Sequence, residues 1–204
     1  MMTEEPKEFY DLSEFPIFSN FTENWKVIRD EALALDTTVF DIDRVNKSHE
    51  QVFEELKAIG RLGWLKGWDT DERPNDKWLT YPIYFYDKMV FNISETMPRT
   101  SRLLEQLNGI RVCALNKMLP DLFLGTHEHP DHRKRRTLLY HLCLSMEETG
   151  TPFNYLNVNG KFVQQVPGKA YIFDGSLPHF ALNASSQNRI IMYIEFYRDN
   201  IGFK

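Results

Sequence analysis

From residue 110 to residue 197, the chain is a succession of short apolar segments separated by turn residues. Segments of this length and composition predict strands, and the Asn159-Gly160 pair between two of them is typical of a tight hairpin. Pro167-Gly168 marks a further turn. Eight short strands after a helical opening predict a double-sheet jelly roll. The predicted strands are 110–118, 122–126, 137–145, 153–158, 161–165, 170–173, 179–182 and 189–197.

The first 110 residues are predicted to be mostly helical. Apolar positions at helical spacing indicate helices at 21–35, 49–60 and 100–107. Residues 63–78 carry three tryptophans among charged side chains, which favours either a lid over a pocket or a surface loop anchored by its rings. The fold class that follows is α+β and mainly β: a double-stranded β-helix (jelly roll) with N-terminal helices packed on one face. We expect residues 1–204 to form one domain, in which 1–110 support a core of 111–204.

Charge and cysteine usage narrow the functional classes. A net charge of −5 gives no electrostatic reason to expect a nucleic acid partner. Cys113 and Cys143 each lie in an apolar segment, which predicts two buried thiols and a cytoplasmic protein. No apolar run approaches the roughly 20 residues that cross a bilayer, so no membrane partner is expected. The oligomeric state is left open.

The histidines are concentrated in the predicted β-rich region. Five of the six lie between residues 124 and 197. In extended backbone the side chains of His129 and Asp131 project to one face, with Cα atoms about 6 to 7 Å apart. His179 follows Pro178 at the start of a later predicted strand. Two histidines and a carboxylate are the ligands that non-haem Fe(II) oxygenases use, so His129, Asp131 and His179 are the predicted metal ligands.

Arg189 opens the last long apolar segment, ten residues after His179. A short polar loop joins the two predicted strands, which favours their pairing as a hairpin with both side chains on one face. A buried arginine needs an anion, and its planar guanidinium binds a carboxylate through two parallel hydrogen bonds. A dicarboxylic co-substrate that chelates iron at one end and meets Arg189 at the other fits this arrangement. The alternatives are that Arg189 pairs with a core acid such as Glu195, or is exposed.

The order of these residues resembles a known enzyme family. The segments His141-Leu142-Cys143-Leu144, Phe173-Asp174-Gly175-Ser176 with His179, and Arg189-Ile190-Ile191 are similar to the aspartyl/asparaginyl β-hydroxylase family of Fe(II)- and 2-oxoglutarate-dependent dioxygenases. The tryptophan-containing helix at 24–33 extends the similarity to most of the chain, although it is sharp only after Leu115. None of these motifs is specific to the family by itself, but their order along the chain is fairly specific.

The resemblance implies Fe(2+), 2-oxoglutarate and O2 as cofactor and co-substrates. Carried over by position, His129 and His179 hold iron, and Arg189 binds one carboxylate of 2-oxoglutarate. His141 corresponds to a family histidine near the other end of the co-substrate. Asn116 falls where a polar contact to it is usual.

Two departures from the family pattern bear on these assignments. The arginine that the family carries two residues before His141 is Leu139 here, so a contact to the co-substrate is expected to move to Arg136 or another basic residue. The spacing from Pro120 aligns His127 with the first metal ligand, whereas the spacing to His141 aligns His129. His129 is preferred because it alone begins an HxD motif.

The function expected from the resemblance is hydroxylation of a C–H bond. The substrate is an amino acid, a related small molecule, or an Asp or Asn side chain in a peptide, with a preference for a small substrate. The Asp131 ligand favours hydroxylation over halogenation, because it leaves no site for chloride. Two other classes remain open: a cupin-like metal hydrolase or isomerase, which has no need of Arg189, and a non-catalytic jelly-roll binding module.

Overall fold

Two β-sheets face each other across a cavity in the computed structural model of the protein, which describes residues 5–43, 47–68, 74–85, 88–146 and 153–204. The helices are α1 (Ser19–Glu23), α2 (Trp25–Leu33), α3 (His49–Ile59), α4 (Pro98–Glu105) and α5 (Pro130–Arg135). The strands are β1 (Val39–Phe40), β2 (Trp64–Trp68), β3 (Pro74–Phe85), β4 (Lys88–Met89), β5 (Leu107–Asn108), β6 (Ile110–Met118), β7 (Leu122–His127), β8 (Thr137–Ser145), β9 (Asn154–Val158), β10 (Lys161–Gln164), β11 (Ala170–Phe173), β12 (His179–Asn183), β13 (Arg189–Tyr197) and β14 (Gly202–Phe203).

The strand order confirms the predicted jelly roll. In the described part of the chain, the larger sheet has the order β1-β2-β3-β6-β13-β8-β11, with β4 paired to β3. The smaller sheet has the order β10-β9-β12-β7. The long strands β6, β8 and β13 have the bounds that their largely apolar segments predict, and they form the centre of the larger sheet.

The N-terminal helices cover the outer face of the larger sheet, as predicted. Residues of β8 therefore alternate between the cavity and this helical layer, and nearly all of them are buried. Phe18 stacks on Tyr140 of β8 with ring centroids 4.3 Å apart, and it meets Phe196 of β13 edge-on at 4.9 Å. The helix predicted at 21–35 is interrupted at Asn24, whose side-chain amide donates to the carbonyl of Asn20 and competes with the helical bonds.

The tryptophan-rich segment at 63–78 is largely strand rather than a polar loop. β2 and β3 pair in antiparallel fashion and extend the larger sheet, while residues 69–73 lie outside the described residues. Gly67 permits this pairing because a Cβ there would lie 2.4 Å from the Trp78 ring. Over the described part of this segment, paired strands therefore stand in place of either expected loop, and Gly67 and Trp78 line the cavity.

The predicted hairpin between the strands of His179 and Arg189 is wrong. β12 pairs with β9 and β7 in the smaller sheet, whereas β13 pairs with β6 and β8 in the larger one. Asn183 secures the crossing, because its amide nitrogen donates to the carbonyls of Met118, Leu119 and Gln187. These bonds anchor the loop to the end of β6, so the chain changes sheet instead of turning back. His179 and Arg189 consequently line one cavity from opposite sheets.

Two other expectations can be compared with the structure. Cys113 and Cys143 are both buried and both free, as predicted. Within the described ranges, none of the helices combines the length and the apolar character that crossing a bilayer requires.

Because Phe18 is 1 % exposed and packs against rings of both β8 and β13, we expect Phe18→Ala to lower the free energy of unfolding by about 3–5 kcal/mol. The control is Phe203→Ala, which removes a ring that is 58 % exposed and should change it by less than about 0.5 kcal/mol. Chemical denaturation of both variants measures the difference. Equal losses would contradict the packing of the helical layer against β8 and β13.

Candidate metal centre

A bulge near the end of β7 turns His127 towards the cavity. In the register between β7 and β12, His179 pairs with His127 and Ala181 pairs with Leu124, so three steps on β7 correspond to two on β12. The extra residue reverses the side-chain alternation, because a shift of one position moves every later side chain to the opposite face. Leu124 and His127 therefore both line the cavity.

Three imidazoles converge at this point. One ring nitrogen from each of His127, His129 and His179 lies within 4.8 Å of the others, and this is the grouping of potential metal ligands found among the described residues. The ring centroids of His127 and His179 are 4.3 Å apart, and His129 lies 5.2 Å from the first and 5.3 Å from the second. His179 is buried and the other two are half-buried.

Backbone carbonyls determine the tautomers of two of these rings. The Nδ1–H of His127 donates to the carbonyl of Gly125 and that of His179 to the carbonyl of Leu177, each at 2.8 Å. Both acceptors lie two residues upstream. A ring that donates from Nδ1 keeps its lone pair on Nε2, which is the state that binds a metal ion.

Burial keeps two of the candidate ligands uncharged. Desolvation lowers the pKa of His129 to about 3 and that of His179 to about 3, with smaller contributions from neighbouring histidines. Both rings are therefore neutral at physiological pH. A metal ion can bind them without first displacing a proton.

Asp131 is separated from the histidine cluster. The extended backbone expected through residues 129–131 is interrupted, because Pro130 occupies the first turn of α5, where its fixed φ suits a helix. The Asp131 side chain is 65 % exposed and lies 3.6 Å from the Arg135 guanidinium. The structure thus brings His129 and His179 together with His127, the alternative first ligand, and not with Asp131.

Arg189 is buried without a carboxylate partner among the described residues. It is 2 % exposed, its Nε donates to Oε1 of Gln165 at 2.6 Å, and its Nη1 lies 3.0 Å from the sulfur of Met118. Its Nη2 has no hydrogen-bond partner in the described residues. Burial lowers its pKa to about 10, so it is still a cation at neutral pH. The alternative pairing with Glu195 is not seen, because Glu195 bonds to Arg111.

The other residues expected near a co-substrate also line the cavity. His141 is buried, and neither ring nitrogen has a partner in the described part of the chain. Burial, followed by the charge of Arg189, holds its pKa well below the usual value. Asn116 is half-buried on β6. Buried polar atoms without partners are costly, so their concentration around Arg189 indicates a polar ligand.

Two residues differ from the expected set. Gln165 was not predicted, yet it orients Arg189 and has its own Nε2 buried without a partner among the described residues. A glutamine after a hairpin strand has no sequence signal that distinguishes it from a solvated turn residue. Arg136, expected as a replacement contact, instead pairs with Asp199 through an exposed double hydrogen bond. Leu139 lines the cavity in its place.

The cavity is larger than a small diacid requires. Its volume is about 700 Å³, within the range typical of ligand sites. Beyond the histidines its wall is built from β2 and β3 and includes Gly67, Trp78, Thr80 and Phe85. An aromatic and partly polar wall of this kind can accommodate a second molecule beside the histidine cluster.

Comparisons with known proteins identify related sequences and folds. Residues 22–199 match the family model described as aspartyl/asparaginyl beta-hydroxylase. A protein of Acanthamoeba polyphaga mimivirus, named uncharacterized protein L888, is 24 % identical over 205 residues, which cover 93 % of this chain and 70 % of that protein.

Solved structures with some similarity include an oxidoreductase of the 2OG-Fe(II) oxygenase family from Burkholderia pseudomallei. It is 15 % identical, with a TM-score of 0.46, and the match covers 81 % of this chain and 97 % of that one. A predicted oxalate decarboxylase from Thermotoga maritima is 14 % identical, with a TM-score of 0.42, and covers 68 % of this chain and 95 % of that one.

The composition of the metal centre can be tested with single variants. We expect His127→Ala, His129→Ala and His179→Ala each to weaken Co(II) binding by more than about 100-fold, because loss of a ligand exceeds the 10- to 100-fold effect of an outer contact. Asp131→Ala, whose side chain is exposed, should bind Co(II) like the unaltered protein. Calorimetric titration measures the affinities. Weak binding by Asp131→Ala with intact binding by His127→Ala would instead support the set of His129, Asp131 and His179.

Proposed function

The chain belongs to the aspartyl/asparaginyl beta-hydroxylase family, and on that premise we propose that it is an Fe(II)- and 2-oxoglutarate-dependent dioxygenase. Its reaction is hydroxylation of a C–H bond in an amino acid, a related small molecule, or an Asp or Asn side chain of a peptide. One observation carries the proposal: a cluster of three histidines and a buried arginine without an acidic partner among the described residues line the same cavity.

The proposed iron ligands are His127, His129 and His179. Imidazole nitrogen suits iron, and three protein ligands leave positions open for other groups. Three neutral ligands also leave the ion with its full double charge, which favours an anionic co-substrate. The ligand set predicted from the HxD motif differs only in Asp131, and the variants described above distinguish the two sets.

The proposed site for 2-oxoglutarate extends from the histidines to Arg189. Its far carboxylate would accept hydrogen bonds from the guanidinium, whose Nη2 has no partner among the described residues. Because Gln165 already occupies Nε, the carboxylate would approach the Nη end of the fork. His141 and Asn116 line the path between the two ends and supply further polar contacts.

In this proposal, the residues of the chain bind and orient the co-substrate and the substrate, and they exclude water from the site. When bound, iron with 2-oxoglutarate and dioxygen supplies the oxidation, and succinate and carbon dioxide leave as products. Leu124, Leu139 and Ile191 belong to the apolar part of the wall, which would keep bulk water from the reacting centre. Gly67, Trp78 and Thr80, on the neighbouring strands β2 and β3, would contact the substrate.

A metal hydrolase or isomerase on the same scaffold remains a competing class, and the burial of Arg189 argues against it. Those reactions have no need of a dianion beside the metal. A cation that is 2 % exposed, without an acid among the described residues, is costly unless a ligand neutralises it.

Turnover of 2-oxoglutarate tests the proposal. We expect the Fe(II)-loaded protein to release succinate, and the rate to rise when the right amino acid or short peptide is present. Arg189→Met should raise the KM for 2-oxoglutarate about 10- to 150-fold, because a hydrogen bond to a charged group contributes about 1.5–3 kcal/mol. Arg136→Met removes an exposed arginine and should leave the KM unchanged. Absence of succinate with every substrate, despite metal binding, would reject the oxygenase class.

Thermal stability gives a second readout that does not depend on the substrate. With metal present, 2-oxoglutarate at about 100 times its dissociation constant should stabilise the fold by about 2.7 kcal/mol, or about 5–10 °C in Tm. The shift should disappear in Arg189→Met and persist in Arg136→Met. Scanning calorimetry measures it, and an equal shift in Arg189→Met would contradict the proposed anion contact.

A further inference from the structure

His129 is held differently from the other two candidate ligands. The rings of His127 and His179 each donate to a backbone carbonyl, whereas the ring of His129 makes no hydrogen bond with the described residues. It lies instead against His132, with ring centroids 4.8 Å apart and planes inclined by 21°. His132 is buried, although it belongs to the otherwise exposed helix α5.

His132 is in turn held by a buried carboxylate. Its Nε2 lies 3.3 Å from Oε1 of Glu195, which is 2 % exposed. The same carboxylate accepts hydrogen bonds from Nη1 of Arg111 at 2.6 Å and from the hydroxyl of Thr137 at 2.9 Å. A carboxylate with these donors has a fixed position, so it gives the His132 ring a fixed neighbour at Nε2.

A second bulge places Arg111 in this cluster. In the pairing of β13 with β6, Glu195 lies opposite Val112 and Phe196 opposite Ile110, which leaves Arg111 as the extra residue. Bulges re-aim side chains in this way, and here Arg111, Val112 and Glu195 all line the cavity. The network is therefore built by a specific irregularity of the larger sheet.

Gly175 provides the space that His132 occupies. A Cβ at this position would lie 2.6 Å from Nδ1 of His132 and 2.8 Å from the Leu139 side chain. Its backbone is not in the left-handed region, so the requirement concerns space rather than conformation. The carbonyl of Gly175 also accepts from the backbone N–H of His129 at 2.8 Å. His129 is thus held at its backbone by Gly175 and at its ring by His132.

We propose that His132 and Glu195 are positioning residues for the metal centre: the stack orients the His129 ring, and Glu195 orients His132. The proposal rests on the proposed metal site and adds a contact outside its ligands. An imidazole without a hydrogen-bonded partner must lose rotational freedom when it binds an ion. A ring that already stacks on a neighbour loses less rotational freedom when it binds the ion, so the stack raises metal affinity.

The test compares Co(II) affinity and the visible absorption of bound Co(II) in four variants, none of which requires turnover. His132→Ala removes the stack and should lower the affinity about 10- to 100-fold and alter the absorption bands. His132→Phe retains a flat ring and should stay within about threefold of the unaltered protein. Lys134→Ala, an exposed change on the same helix, is the matched control. Gly175→Ala should reproduce the loss by displacing the His132 ring.

Two results would overturn the proposal. The first is a His132→Ala protein that binds Co(II) with normal affinity and spectrum. The second is a His132→Phe protein whose Co(II) affinity falls as far as that of His132→Ala, because the effect would then come from core stability. If His132→Ala does not fold, the other two variants decide. Normal Co(II) affinity in His132→Phe together with reduced affinity in Gly175→Ala supports the stack. Any other combination of the two affinities rejects it. Normal Co(II) binding without succinate production would count against the oxygenase function alone.

Discussion

The candidate site depends on the pairing of β7 with β12, which places His127 opposite His179. One extra residue in β7 brings these rings to the same face, with centroids 4.3 Å apart. The hydrogen bonds from their Nδ1 atoms to carbonyls two residues upstream then leave both Nε2 lone pairs available. His129 completes the group from the start of α5. Without the bulge, His127 would face solvent and the cluster would lose a member.

The cavity has two ends with different electrostatic character. One end collects the imidazoles of His127, His129 and His179, and the other contains the buried cation Arg189, near polar atoms of Gln165 and His141 that have no partner among the described residues. Each end alone has an ordinary structural explanation, but together they match a molecule that can chelate a metal and present a carboxylate. The family membership and the geometry therefore support the same chemistry through independent observations.

Much of the fold could be predicted because its signals are local. The bounds of β8 and β13 follow from largely apolar segments, and the resemblance in residue order singles out His179, Arg189 and His141, all of which line the cavity. What failed depends on distant contacts. The sheet crossing after β12 is secured by Asn183 on carbonyls of Met118 and Leu119, which no local pattern reveals. The bulge beside His127 and the helix that begins at Pro130 are likewise not detectable from a simple two-residue alternation, so the sequence does not show that His127 lies beside His129 and His179 or that Asp131 points away from them.

The crossing from β12 to β13 has a mechanical consequence. The histidine cluster belongs to the smaller sheet and its flank, whereas Arg189 belongs to the larger sheet. A diacid that contacts both would connect the two sheets. Its length would therefore have to match the distance between the sheets at this end of the molecule. Selectivity among diacids of different chain length would then depend on the distance between the two sheets as well as on the position of Arg189.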